Sequence, residues 1–312
     1  MLSIFLPAPV IGALSFVAFI ASTIFWGGLI VVVPGVIKFL VPVPAVRRAC
    51  GRFGLLLGSN WTSTNALFYR LLHPAAWQVD FRPADFDPRK SYLIVSNHQS
   101  WADILILFDL FHGRLPFPRF FMKRELLFVP IVGMGCWALD FPFMKRHSRE
   151  AIEKTPALRH EDLETTRRTC EIYKERPMAL VNFLEGTRFT EAKRAAKQSP
   201  YRHLLRPKSA GLSFTLNAMG EQFGGIIDVT LAYQSTTKPL LWSWLCGEQD
   251  NVQIHVDLLP IPPDMIHGDY DADAEFRARF QTWVNGIWSR KDARLEAMQS
   301  RPPVGAQRPA HY

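Results

Sequence analysis

Ser91-Tyr92-Leu93-Ile94-Val95-Ser96-Asn97-His98-Gln99-Ser100-Trp101-Ala102-Asp103 decides the fold of this chain. Ser91 to Ser96 is a short apolar run with no helical spacing and spells a buried strand. The polar residues after it end the strand, and Ala102-Asp103-Ile104-Leu105 starts an apolar helix. In α/β proteins ligands gather beyond the carboxyl ends of strands, so this turn places His98 on the rim of a sheet. Within one continuous helix, residues five apart diverge by about 140°, which would keep His98 and Asp103 apart. A loop leading into the first helical turn removes that obstacle. Asp103 would then accept the Nδ1 proton of His98 and fix its tautomer, leaving Nε2 as a general base for a hydroxyl. The same Ser100-x-x-Asp103 spacing also resembles a helix cap, in which Asp103 only satisfies orphan amides. On these residues Asp103 is open to either role.

Outward from this segment, short apolar runs alternate with helix signals, which is the grammar of an α/β fold. Met178-Ala179-Leu180-Val181-Asn182-Phe183 spells a second buried strand, and Gly225 to Tyr233 a third. Val252, Ile254, Val256 and Leu258 alternate with Gln253, His255 and Asp257, the period-two pattern of a strand with one wet face, expected at the sheet edge. Helices are expected over Glu161 to Lys174 and Ser209 to Met219. Phe276, Phe280, Trp283, Val284, Ile287 and Trp288 make one stripe on a final helix, facing either the core or a membrane. The organisation expected is an N-terminal anchor and interfacial segment over 1–72, an α/β domain over 73–298, and a Pro-rich disordered tail over 299–312.

Three basic clusters join the His98 loop. Phe183-Leu184-Glu185-Gly186-Thr187-Arg188 closes the second strand with a glycine turn, bringing a carboxylate, a hydroxyl and a guanidinium to one end of the sheet. The Arg188 fork suits a phosphate. Phe141-Pro142-Phe143-Met144-Lys145-Arg146 ends an apolar run with adjacent cations, and Arg206-Pro207-Lys208 precedes a helix whose N-terminus favours an anion. Each cluster alone fits a solvated face; together they describe a base beside an anion-binding wall.

The 312 residues carry 48% hydrophobic and 21% charged side chains, which excludes general disorder. Lys and Arg exceed Asp and Glu by 8, so nucleic acid, phospholipid and phosphorylated substrates all suit the charge. Cys50, Cys136, Cys170 and Cys246 form no CxxC pair, which argues against a zinc site and a secreted disulfide framework and for a reducing environment. Met1 to Ile37 carries no charge, and Val10 to Val33 is a 24-residue apolar stretch. About 20 helical residues cross a bilayer core, so a retained membrane helix is expected. A cleaved signal fits less well, because the basic start and the small-residue cleavage site are missing. Lys38, Arg47, Arg48 and Arg52 follow at once, placing the remainder on the cytoplasmic side. Phe53 to Tyr69 is uncharged but polar at Ser59-Asn60-Trp61-Thr62-Ser63-Thr64-Asn65. It is expected to be interfacial or re-entrant, or a helix packed on the domain.

The blocks Asn97-His98-x4-Asp103, Phe143-Met144-Lys145-Arg146, Phe183-Leu184-Glu185-Gly186-Thr187-Arg188 and Arg206-Pro207-Lys208 resemble, in order, those of the glycerol-3-phosphate and lysophosphatidic acid acyltransferases. The fuller wording is similar to the branch holding lysocardiolipin acyltransferases and their bacterial relatives. Leu184 stands where the family commonly has Pro, and Ile226 to Leu231 lacks the usual Pro and includes Asp228. The resemblance, from about Trp77 to Ile261, implies a mixed sheet flanked by helices behind an N-terminal membrane segment. It implies acyl transfer from acyl-CoA or acyl carrier protein to the free hydroxyl of a lysophospholipid. The first-choice acceptor is 1-acyl-glycerol-3-phosphate, with lysocardiolipin, lysophosphatidylglycerol or lysophosphatidylinositol as alternatives. By the same resemblance His98 and Asp103 are catalytic, while Lys145, Arg146, Glu185, Gly186, Thr187, Arg188 and Lys208 bind substrate. Neither metal nor cofactor is expected, since HExxH and Cys/His ligand spacings are absent; nor is a covalent acyl-enzyme, since there is no GxSxG. A membrane-tethered lipid-binding module would use the same basic wall but would not need the His98 and Asp103 pair. A nucleic-acid partner is not expected, for want of a recognition motif.

Overall fold

The computed structural model describes residues 5–73, 77–82, 86–144, 177–249 and 251–300. The helix expected over Glu161 to Lys174, the tail beyond 300, and Lys145, Arg146 and Cys170 lie outside them.

The chain opens with helix α1 (Ala8–Ile30), a π-helical turn (Val31–Gly35) and helix α2 (Val36–Leu40). Pro34, which has no N–H to give, sits in the widened turn. This 33-residue stretch is long and apolar enough to cross a membrane. Helix α3 (Pro44–Leu72) follows as one continuous 29-residue element, so Phe53 to Tyr69 is not a re-entrant loop. Its polar centre is satisfied locally. The side chains of Thr62, Ser63, Thr64 and Asn65 each donate to the carbonyl four residues back. Two crossed bonds then tie α3 to α1: Trp61 Nε1 donates to Thr23 Oγ1 at 3.1 Å and Trp26 Nε1 to Thr64 Oγ1 at 3.0 Å. Trp61 also meets Phe108 edge to face, so α3 is packed on the domain.

Beyond α3 come strands β1 (Gln78–Arg82) and β2 (Ser91–Ser96), helix α4 (Ala102–Leu110), and strands β3 (Pro118–Phe120) and β4 (Met122–Lys123). Helix α5 (Val132–Ala138), strands β5 (Phe143–Met144) and β6 (Ala179–Phe183), and helices α6 (Glu191–Ala196) and α7 (Ser209–Met219) follow. Strand β7 (Phe223–Ala232), helix α8 (Leu240–Leu245), strand β8 (Gln253–Leu259) and helix α9 (Ala274–Gln299) complete the described order.

Six strands make the main sheet in the order β1-β8-β7-β2-β6-β3, and β4 pairs with β5 apart from it. The sheet is mixed: β7 and β8 run antiparallel and the other neighbours parallel. Strand β8 is therefore not at the edge, as its alternation suggested, but between β7 and β1. Of its polar positions His255 is buried, its Nδ1 2.8 Å from Asp80 of β1, while Gln253 and Asp257 are half-buried.

Alternation along β2 sends Tyr92 and Ile94 to one face and Leu93 and Val95 to the other. The first face packs on α4 and on Ile30 and Leu57 of the N-terminal helices, the second on α7 and α9. Phe276, Phe280, Val284, Ile287 and Trp288 are all buried, so the stripe on α9 is core and not a membrane face. The departure at Asp228 has a structural reason on this second face. Its carboxylate lies 2.6 Å from Lys291 Nζ and 3.3 Å from Arg294 on α9, an internal ion pair linking strand and helix.

Candidate active site

Strands β2, β6 and β7 run parallel, with Ser96 level with Phe183 and Val229. The loops after them must converge at one end of the sheet. Asn97 fixes the first loop: its side-chain amide donates to the Leu231 carbonyl and its oxygen accepts the Leu231 N–H, both at 2.9 Å.

His98 follows, with its Nδ1 2.8 Å from Asp103 Oδ2. The same oxygen accepts the backbone N–H of Gln99 at 2.7 Å and of Ser100 at 2.9 Å. Asp103 thus fixes the loop leading into α4 and orients the imidazole with the same oxygen. Its other oxygen, Oδ1, accepts the phenol hydroxyl of Tyr233, just past β7. Burial, with the Asp103 carboxylate beside it, holds the Tyr233 phenol well above its usual range, so Tyr233 is a donor here. The His98 ring lies flat on Phe183, with centroids 4.1 Å apart and planes 16° apart. With Nδ1 engaged and the ring stacked, Nε2 is the nitrogen left for a reacting hydroxyl. The side chain is 14% exposed, against none for Asp103, so the site opens at the imidazole.

The second loop is bound to the first. Glu185 is buried, and its Oε1 accepts the His98 N–H at 3.0 Å while Oε2 accepts the Leu205 N–H at 2.9 Å. Burial pushes its carboxyl up to about 7 against the pull of those two amides. Both oxygens accept backbone N–H groups, so Glu185 braces the His98 loop. Gly186 has φ +66°, and a Cβ there would stand 3.0 Å from Lys208 Nζ, so the turn and the lysine's approach both favour glycine. Arg188 is exposed, its guanidinium over the Trp101 ring at 5.3 Å from the centroid. The Thr187 hydroxyl accepts from Lys193 Nζ at 3.0 Å, and the same ammonium donates to the Arg188 carbonyl at 2.9 Å.

His98, Asp103, Glu185, Gly186, Thr187, Arg188 and Lys208 are thus assembled at one rim. The sequence reading missed Tyr233, Phe183 as a stacking partner, Lys193 and Asn97. The position of Tyr233 at the end of the third strand, on the same rim, was the available signal.

Residues 78–234, half of the chain, match the family model described as Acyltransferase. The chain is 27% identical over 233 residues to the mouse (Mus musculus) 1-acyl-sn-glycerol-3-phosphate acyltransferase gamma, covering 72% of this chain and 57% of that protein. It is 29% identical over 177 residues to 1-acyl-sn-glycerol-3-phosphate acyltransferase 2 of Brassica oleracea, covering 53% and 42%. The chain therefore spans about half the length of these curated relatives. The crystal structure of the 1-acyl-sn-glycerophosphate (LPA) acyltransferase PlsC from Thermotoga maritima superposes with a TM-score of 0.52 at 16% identity, covering 94% of this chain and 96% of that one. That likeness is one of fold. The family model lies across the segment from β1 to the end of β7 that carries His98, Asp103 and the Glu185 turn, and by that match the chain belongs to the acyltransferase family.

Proposed function

We propose that the chain transfers a fatty acyl group from an acyl thioester, acyl-CoA or acyl carrier protein, to the free hydroxyl of a membrane lysophospholipid. The acceptor we assign first is 1-acyl-glycerol-3-phosphate, giving phosphatidic acid, because the relatives it matches bear that activity in their names. The observation that carries the proposal is the imidazole of His98, held through Nδ1 by a buried carboxylate and open at the rim.

Nε2 of His98 takes the acceptor's hydroxyl proton as its oxygen attacks the thioester carbonyl. The negative charge of Asp103 stabilises the imidazolium that forms. The tetrahedral intermediate then collapses, the C–S bond breaks, and the departing thiolate recovers the proton from Nε2. The acceptor's phosphate is met by Arg188, Lys193 and Lys208, with Lys145 and Arg146 of the preceding block as further cations. Arg188 is preset by the Trp101 ring beneath it, which limits the entropy lost on gripping an anion. Glu185 and Gly186 shape the loop, and Thr187 orients Lys193. The protein works at a membrane through its N-terminal helices, with the catalytic rim facing the cytoplasm.

The test is turnover by purified protein on lysophosphatidate, lysocardiolipin, lysophosphatidylglycerol and lysophosphatidylinositol, with each donor in turn. His98→Ala should lose about 10²- to 10⁴-fold, the usual share of a general base, with the fold intact by circular dichroism. Near-wild-type turnover in that variant would overturn the assignment.

A further inference from the structure

Between β4 and α5 the chain makes an apolar tip, Phe128-Val129-Pro130-Ile131-Val132. Phe128 is 80% exposed, and Val129, Val132 and Met134 are exposed with it. Soluble domains seldom present such a cluster without a use for it. The tip is also held in a conformation its residues do not favour. Ile131, a β-branched residue, sits at φ +64°, a left-handed backbone that such side chains rarely adopt. Gly133 closes the turn so tightly that a Cβ would fall 2.1 Å from the Leu126 carbonyl oxygen and 2.4 Å from that of Leu127. The N–H of Gly133 bonds back to the Val129 carbonyl at 2.8 Å. These restraints hold Phe128 outward.

The neighbours of the tip say what covers it. Ile131 packs on α1 at Gly27, where a Cβ would meet its Cγ2 at 2.6 Å. The tip therefore lies against the candidate membrane helix, whose Ile24 and Phe25 are also exposed. At its root stand Lys123 and Arg124, both exposed and suited to anionic headgroups. Lys123 belongs to β4, whose partner β5 runs directly into the basic block.

We propose that Phe128 to Val132 is a second point of membrane insertion, which seats the catalytic rim on the surface of a bilayer containing anionic lipid. Helix α1 holds the protein to the membrane, and the tip fixes its rotation, so that the anion-binding wall meets headgroups. The occupant is lipid rather than a protein groove partner because the tip is a projecting apolar point, lying against the candidate membrane helix and flanked by cations. The inference rests on the acylation reading only for its purpose; the depth measurement below does not depend on turnover.

The experiment uses the full chain on vesicles of phosphatidylcholine and phosphatidylglycerol. Phe128→Cys, labelled with an environment-sensitive fluorophore, should be quenched by lipids carrying a spin label in the acyl chain and shielded from aqueous iodide. The parent protein treated identically supplies the background. Phe128→Asp with Val129→Asp should slow acylation of bilayer-embedded lysophosphatidate about tenfold, the scale expected for losing burial of one large apolar side chain. A short-chain acceptor dispersed as monomers should be turned over at the parent rate, which shows that the variant folds. A label open to iodide and untouched by the lipid quencher overturns the proposal whatever the rates. A double variant as active as the parent on vesicles overturns the claim that the tip seats the rim. Loss of all turnover in the parent, with the label still quenched by lipid, would sink the acylation reading alone.

Discussion

Tyr233→Phe removes one oxygen and isolates the least expected member of the site. Asp103 has two oxygens: Oδ2 accepts from His98 Nδ1, Gln99 N and Ser100 N, while Oδ1 accepts from Tyr233. The variant leaves Oδ1 without that donor in a fully buried pocket. A hydrogen bond to a charged group contributes about 1.5–3 kcal/mol. With that donor gone, Asp103 is held less firmly behind the His98 imidazole. If most of that energy is expressed in the barrier, kcat falls about 10- to 100-fold, since 1.36 kcal/mol is a factor of ten. KM for the lysolipid should stay within about twofold, because Tyr233 lies behind Asp103 and away from the cations, so the loss falls on the chemical step alone. The assay is steady-state turnover from pH 5 to 9, with thermal unfolding beside it. A variant with lowered Tm but unchanged kcat would show that Tyr233 is a packing residue only.

Glu185→Gln should be less innocent than its shape suggests: both carboxylate oxygens accept backbone N–H groups, so the new amide N–H₂ must face one of them. A lowered Tm, corresponding to about 1–3 kcal/mol, and a lowered kcat should appear together; an unchanged Tm would show that the loop is held by other contacts. His73, buried with Nε2 2.9 Å from Ser15 Oγ and stacked on Tyr69, has its pKa lowered by burial from 6.5 to about 4. The unfolded chain then binds a proton that the native state does not, so stability falls as pH drops from 6.5 towards 4, by about 3 kcal/mol at the limit. Urea unfolding in detergent should lose that part of its pH dependence in His73→Phe, and an identical slope in the variant would refute the assignment.

What could be read from the sequence was what burial dictates locally. Ser91 to Ser96 and Ser209 to Met219 appear with the expected bounds because each presents an unbroken apolar pattern to a covered face. Strands β1 and β3 escaped notice. Gln78-Val79-Asp80-Phe81-Arg82 and Pro118-Arg119-Phe120 are short and half polar, and pairing with β8 and β6 makes them strands. The alternation of β8 was visible but its meaning was not. A polar face signals water only when nothing pairs with it, and here Asp80 and Arg294 reach His255 and Asp257 from β1 and α9. The site divides in the same way. His98, Asp103 and the Glu185 to Arg188 turn are close in sequence within each block and were legible as blocks. Tyr233 lies 130 residues from Asp103, and nothing in local spacing joins them.

The double duty of Asp103 bears on how any variant of this site is interpreted. Its Oδ2 holds the loop ahead of α4 and the imidazole together, so the approach to the helix and the base are set by one atom. The same oxygen meets two backbone amides, those of Gln99 and Ser100. The Ser100-Trp101-Ala102-Asp103 spacing therefore carries both readings, because one carboxylate contacts the imidazole and holds the backbone ahead of the helix. It follows that Asp103→Asn mixes two losses, the charge and the loop geometry, and cannot apportion them. Tyr233→Phe leaves the loop contacts on Oδ2 in place and perturbs only Oδ1, so it separates support of His98 through Oδ1 from the architecture that carries it.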